Sequence, residues 1–139
     1  EAMSAYCCSE SVTDDQKEFV NKLCSSFGKV MPLSESYFPL FCSIAGCAPA
    51  YAYMFIDSLA RSAVKNGMNK SVALEIAAQT VLGSAKKILE SDEHPWELID
   101  KVCSPGGTTI EGIVSLQKDG FESAVCNAVD AALQKDKKV

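Results

Sequence analysis

The chain has 139 residues, 47% of them apolar and 22% charged, with a formal charge of −5. That is the size and make-up of one globular domain with a single core. An acidic chain whose basic residues cluster nowhere before the tail Lys135–Lys138 lacks the surface that displaces counterions from nucleic acid, so nucleic-acid binding is set aside.

Seven cysteines stand at 7, 8, 24, 42, 47, 103 and 126. Their number is odd, no secretory leader is visible, and zinc-type spacing with histidine partners is missing, so neither a disulfide framework nor a metal site is the default. Reduced thiols in a cytoplasmic protein are the plain expectation.

Residues 1–10 carry no helical pattern. Met3, Ala5 and Cys7 alternate weakly, as in a short strand. No second strand is evident, so this segment is expected to fray or to pair with another copy. It is expected to be a remnant of the last strand or linker of a missing domain, with residues 11–139 forming the helical domain.

Thr13-Asp14-Asp15-Gln16 opens the first helix as a capping box, with two acids at its positive end. Phe19, Val20, Leu23, Cys24 and Phe27 follow at helical spacing, Gly28 stops the helix, and 29–36 is expected to be a linker. From Ser36 to Ile56 no residue is charged. Pro39 and Pro49 argue against a membrane span, and the small residues 45–48 predict a break between helices. A helix from Pro49 to about Asn66, closed by Gly67, is apolar nearly all round at its start. A domain this small can hardly enclose it, and a second subunit would.

Asn69 or Ser71 opens the longest helix, which is rich in alanine and carries Lys86 and Lys87 near its end. Pro95 begins a short helix with Trp96, Leu98, Ile99 and Val102. A helix through Ile110, Ile113, Val114 and Leu116 ends by Gly120, and a last one runs from Phe121 through Leu133. Everything past residue 12 reads as helix, so the fold class is all-α.

Between the short Pro95 helix and the helix through Ile113 lies Val102-Cys103-Ser104-Pro105-Gly106-Gly107-Thr108-Thr109-Ile110. Thr108-x-x-Glu111 fits a capping box, which places the helix start at or near Thr108. Free amides at a helix start, approached over two glycines, suit a small carboxylate or phosphate. The same residues also make an ordinary helix–helix turn.

The chain resembles the C-terminal domain of the pyrroline-5-carboxylate reductases. The matching pieces are Pro49-Ala50-Tyr51-Ala52, the run from Ala77 to Gly83, Glu93-His94-Pro95, the stretch from Asp100 to Ile110, and Gly120-Phe121 with Ala124. The Val102-x-Ser104-Pro105-Gly106-Gly107-x-Thr109 stretch is close to diagnostic, and the likeness reaches back through Thr13. The resemblance implies a helical bundle intertwined with a second copy as a homodimer or a higher oligomer. It implies an enzyme that reduces 1-pyrroline-5-carboxylate to L-proline with NAD(P)H, the cofactor being held by a Rossmann domain that these residues lack. This chain alone is therefore expected to bind no cofactor and to be inactive.

On the same resemblance, the hydroxyls of Ser104 and Thr109 hold the imine's carboxylate. Gly106, Gly107 and Thr108 offer amides or the room to reach them, and Val102 lines the ring pocket. Asp92 aligns with an acid that contacts the imine nitrogen, although a helix-end cap accounts for it equally. Cys42 stands where a threonine often approaches the nicotinamide. The family's Thr-Gly-x-Ser-Gly-Ser-Gly-Pro-Ala run is here Cys42-Ser43-Ile44-Ala45-Gly46-Cys47-Ala48-Pro49-Ala50, with hydroxyls replaced at 45 and 47. That departure supports the alternative of a helical interaction module that has lost catalysis. A thiol redox or metal protein is a third reading.

Overall fold

The computed structural model describes residues 1–136. Its elements in order are β1 (Ala2–Tyr6), α1 (Asp14–Ser25), β2 (Gly28–Pro32), a 3-10 turn (Glu35–Tyr37), α2 (Phe38–Phe41), a π-helical turn (Cys42–Gly46), α3 (Ala48–Lys65), α4 (Lys70–Leu89), α5 (Pro95–Val102), α6 (Thr108–Lys118) and α7 (Phe121–Asp136). The chain divides into two compact units, one of residues 1–49 with the end from Ala128, the other Ala50–Asn127. Helices dominate, as expected, with one small sheet added.

In the first unit, β1 pairs in parallel with β2, Ala2 opposite Gly28 and Tyr6 opposite Pro32. This overturns two expectations: the opening strand has a partner within the chain, and the presumed linker after residue 28 is that partner. Parallel strands need a crossover, which α1 supplies. Gly28 is no helix stop. It is the point of closest approach between strands, where a Cβ would fall 2.0 Å from the Ala2 carbonyl oxygen. Pro32 cannot donate a ladder bond, so it ends the strand, and the next amide, Leu33 N–H, donates to the Tyr6 carbonyl at 2.9 Å.

Helix α1 starts as the sequence predicts. Gln16 N–H donates to Thr13 Oγ1 at 3.4 Å and Thr13 N–H to Gln16 Oε1 at 3.0 Å. Thr13→Ala is expected to cost about 1 kcal/mol, read as a lower urea midpoint with an unchanged slope.

The break expected at 45–48 is instead a wider winding of the helix. Cys47 N–H donates to the Cys42 carbonyl at 3.2 Å, a bond across five residues. Ser43, 2% exposed, gives its hydroxyl to the Pro39 carbonyl at 2.9 Å.

In the second unit, α3 closes as its sequence foretells. Gly67 takes φ +97°, and Gly67 and Met68 donate back to the Val64 and Ala63 carbonyls at 2.9 and 3.0 Å. Asn69 then caps α4, its side chain accepting from Ser71 N–H at 2.9 Å. Where the two helices meet, Ala60, Ala73 and Ala77 are the buried apolar residues among those described, with Ile56 and Ala63 against them. Small side chains let helix backbones approach closely, but they bury little area. Phe55 and Phe121 meet at a tilt, with 5.9 Å between ring centres.

Candidate functional site

The site is built on the way α5 ends and α6 begins. Helix α5 is short, and it is set at its start by Pro95 and by His94, whose Nδ1 accepts from Trp96 N–H at 3.2 Å. Glu97 returns the bond by accepting from His94 N–H at 3.2 Å. The helix ends at Val102, and Cys103 N–H donates to the Asp100 carbonyl at 3.2 Å.

Ser104, Pro105, Gly106 and Gly107 then form a tight turn closed by Gly107 N–H donating to the Ser104 carbonyl at 2.9 Å. Pro105 presets the second position, and Gly106, at φ +67°, supplies the left-handed third position that this turn requires. The turn delivers Gly107 in extended conformation (φ −78°, ψ 165°) as the N-cap of α6.

Helix α6 therefore starts at Thr108, as expected, but the Thr108–Glu111 capping box does not form. Gly107 holds the cap position and has no side chain to give. The first amides of an eleven-residue helix, on Thr108, Thr109 and Ile110, are thus left without a side-chain cap, at the positive end of the dipole. The Ser104 hydroxyl lies directly over this start, since a Cβ on Gly107 would fall 2.3 Å from Ser104 Oγ. Ser104, Thr108 and Thr109, with their hydroxyls, and the bare amides belong to one short segment, and all three residues are exposed.

Val102 stands at the entry to the turn, 64% exposed. It edges an apolar groove of about 570 Å³ formed with Ile88 of α4 and Pro95, Leu98 and Ile99 of α5. Asp92 lies exposed between α4 and α5. Helix α4 is capped at Glu90 and α5 at His94, so the helix-end reading of Asp92 is overturned. Cys42 is the exposed first residue of the π-helical turn, in the first unit, whereas Asp92 and the Val102–Thr109 segment belong to the second.

Sequence reasoning named Glu93 only within the Glu93-His94-Pro95 match and missed its ion pairs. Its carboxylate pairs with Lys101 of α5, lies 3.9 Å from the Lys87 ammonium of α4, and takes the Ser91 hydroxyl at 3.2 Å. None of these partners sits at a helical i,i+4 spacing, so no local pattern announces the cluster.

Residues 35–139 match the family described as pyrroline-5-carboxylate reductase dimerisation. The chain is 41% identical over 128 residues to the pyrroline-5-carboxylate reductase of Escherichia coli, covering 92% of this chain and 48% of that protein. The crystal structure of the Streptococcus pyogenes 1-pyrroline-5-carboxylate reductase superposes with a TM-score of 0.91 at 42% identity, over 98% of this chain and 53% of that one. The Plasmodium falciparum pyrroline carboxylate reductase, crystallised with NADP bound, gives 0.89 at 38% identity, over 97% and 52%. This chain thus spans about half the length of the relatives it matches. With that match lying across the π-helical turn, the Ser-Pro-Gly-Gly turn and every helix from α2 onward, the chain belongs to the pyrroline-5-carboxylate reductase dimerisation family.

Proposed function

We propose that this chain is the dimerisation and substrate-binding part of a cytoplasmic pyrroline-5-carboxylate reductase, which reduces 1-pyrroline-5-carboxylate to L-proline. The observation that carries this reading is the uncapped start of α6 behind the Ser104–Gly107 turn. Bare amides and the Ser104 and Thr109 hydroxyls give a carboxylate several charge-assisted hydrogen bonds, each worth about 1.5–3 kcal/mol when unpaired partners would otherwise remain. Gly106, Gly107 and Thr108 let the anion reach the backbone. Val102 packs against the ring and fixes its tilt.

Asp92 is the group that holds a proton at the imine nitrogen, which makes the adjacent carbon more electrophilic. Having no helix to cap, its carboxylate is available for this. The reduced nicotinamide of NAD(P)H supplies the hydride. Among the described residues no glycine-rich turn follows a strand (β1 runs into Cys7-Cys8-Ser9), so the cofactor's phosphates are held by another segment and Cys42 meets at most its nicotinamide edge. The β1–α1–β2 unit fits the border of that segment. A two-stranded parallel sheet is not stable alone and has both faces to cover. We assign residues 1–10, and with them β2, to the edge of a larger nucleotide-binding sheet.

The homodimer rests on surface. Large apolar side chains stand exposed along α3 and α4, among them Tyr53, Met54, Ile76, Leu82 and Leu89, and an apolar surface of that extent marks an interaction face. A dimer interface also accounts for the helical run Glu35–Lys65, part of which has the length and composition of a membrane span.

The second reading, a helical module without catalysis, is favoured by Ala45 and Cys47 standing in the π-helical region. The two separate in one assay: the chain is joined to the nucleotide-binding half of its E. coli relative and NAD(P)H oxidation is followed with the cyclic imine. Imine-dependent oxidation, lost in Asp92→Asn, is expected. A dimeric, L-proline-binding fusion with no turnover would establish the module instead.

A further inference from the structure

Two cysteines stand together at the end of β1, apart from the turn described above. Tyr6 closes the strand, its carbonyl taken by Leu33 N–H at 2.9 Å, and the Ser9 carbonyl is taken by Val12 N–H at 3.2 Å. Between these two pinned points lie Cys7 and Cys8, both free and both exposed. They stand beyond the last paired residue, so the strand alternation that sends neighbouring side chains to opposite faces does not govern them.

With Tyr6, Lys17 and Leu33 they line an open recess of about 840 Å³ at the carboxyl ends of the two parallel strands. Ligands of parallel sheets bind at this end. Lys17 donates to Asp14 Oδ1 at 2.9 Å, and that contact, with smaller contributions from Cys8 and Tyr6, holds its ammonium above the usual lysine range.

We propose that Cys7 and Cys8 form a vicinal dithiol site for thiophiles of the trivalent arsenical class, RAs(OH)₂. Each thiol displaces one hydroxyl group from arsenic. Two S–H and two As–O bonds break, two S–As bonds form, and two waters leave. Arsenic stays trivalent, and no oxidant or reductant takes part. The second S–As bond closes within the chain, so the pair holds the ligand about 10²–10⁴ times more tightly than one thiol does. The competing pair is Cys42 and Cys47, one π-helical turn apart.

The test uses the whole chain, one equivalent of phenylarsine oxide and a monothiol competitor, with intact mass and peptide mapping as readouts. One arsenic per chain is expected, bridging Cys7 and Cys8. Cys7→Ser and Cys8→Ser, each checked for an unchanged circular dichroism spectrum, should each weaken retention about a hundredfold or more. Arsenic mapped to the Cys42–Cys47 peptide, or retention unchanged in both serine variants, would overturn the proposal. Mapping on the unaltered chain keeps the test decisive even where a variant misfolds.

Discussion

Gly107→Ala is expected to weaken L-proline binding by more than tenfold in titration calorimetry, and more than Ser104→Ala does. The added methyl would lie 2.3 Å from Ser104 Oγ and 3.0 Å from the Ser104 carbonyl oxygen. The hydroxyl can rotate away, but the carbonyl is fixed by its bond to Gly107 N–H. Either the turn opens or the serine leaves the carboxylate, and overpacking of this kind costs about 1–3 kcal/mol. Losing the Ser104 hydroxyl alone leaves the amides in place, so Ser104→Ala is expected to cost about one decade of affinity, near 1.4 kcal/mol. Binding by Gly107→Ala within twofold of the parent would show that the turn does not hold the carboxylate.

Met54→Asp is expected to abolish the dimer and, with it, the fold. Met54 and Tyr53 are 71% and 69% exposed on the part of α3 that carries no charge. A carboxylate placed there would be buried unpaired against the second copy, at a cost of about 3–5 kcal/mol. Sedimentation of the parent should give a dimer at micromolar concentration, and its melting temperature should rise with concentration. The variant should sediment as a monomer with reduced helical signal. A parent that stays folded and monomeric at micromolar concentration would remove the basis of the assembly.

Signals written in neighbouring residues were legible from the sequence. Thr13 with Gln16, Asn69 with Ser71, and Gly67 after α3 each place their helix end by a bond reaching no more than a few positions. The family-specific turn was legible too, because Pro105 and Gly106 have few other uses at adjacent positions. What escaped depends on distant or collective geometry. Strand β2 looked like a linker because Gly28, Lys29 and Pro32 are poor strand residues. Its pairing comes from β1, some twenty-six positions earlier in register. The π-helical turn keeps every local helical preference and differs only in how the backbone closes. The expected capping box at Thr108 failed because the preceding turn hands the cap to Gly107, a matter of one residue in phase. The ion pairs of Glu93 went unseen because its lysines come from two different helices.

The alanine seam between α3 and α4 bears on how the protein comes into being. In the homodimer proposed above, a polypeptide with so little of its own to wrap would complete its structure on meeting its twin, and its maturation would then be second order in freshly made copies.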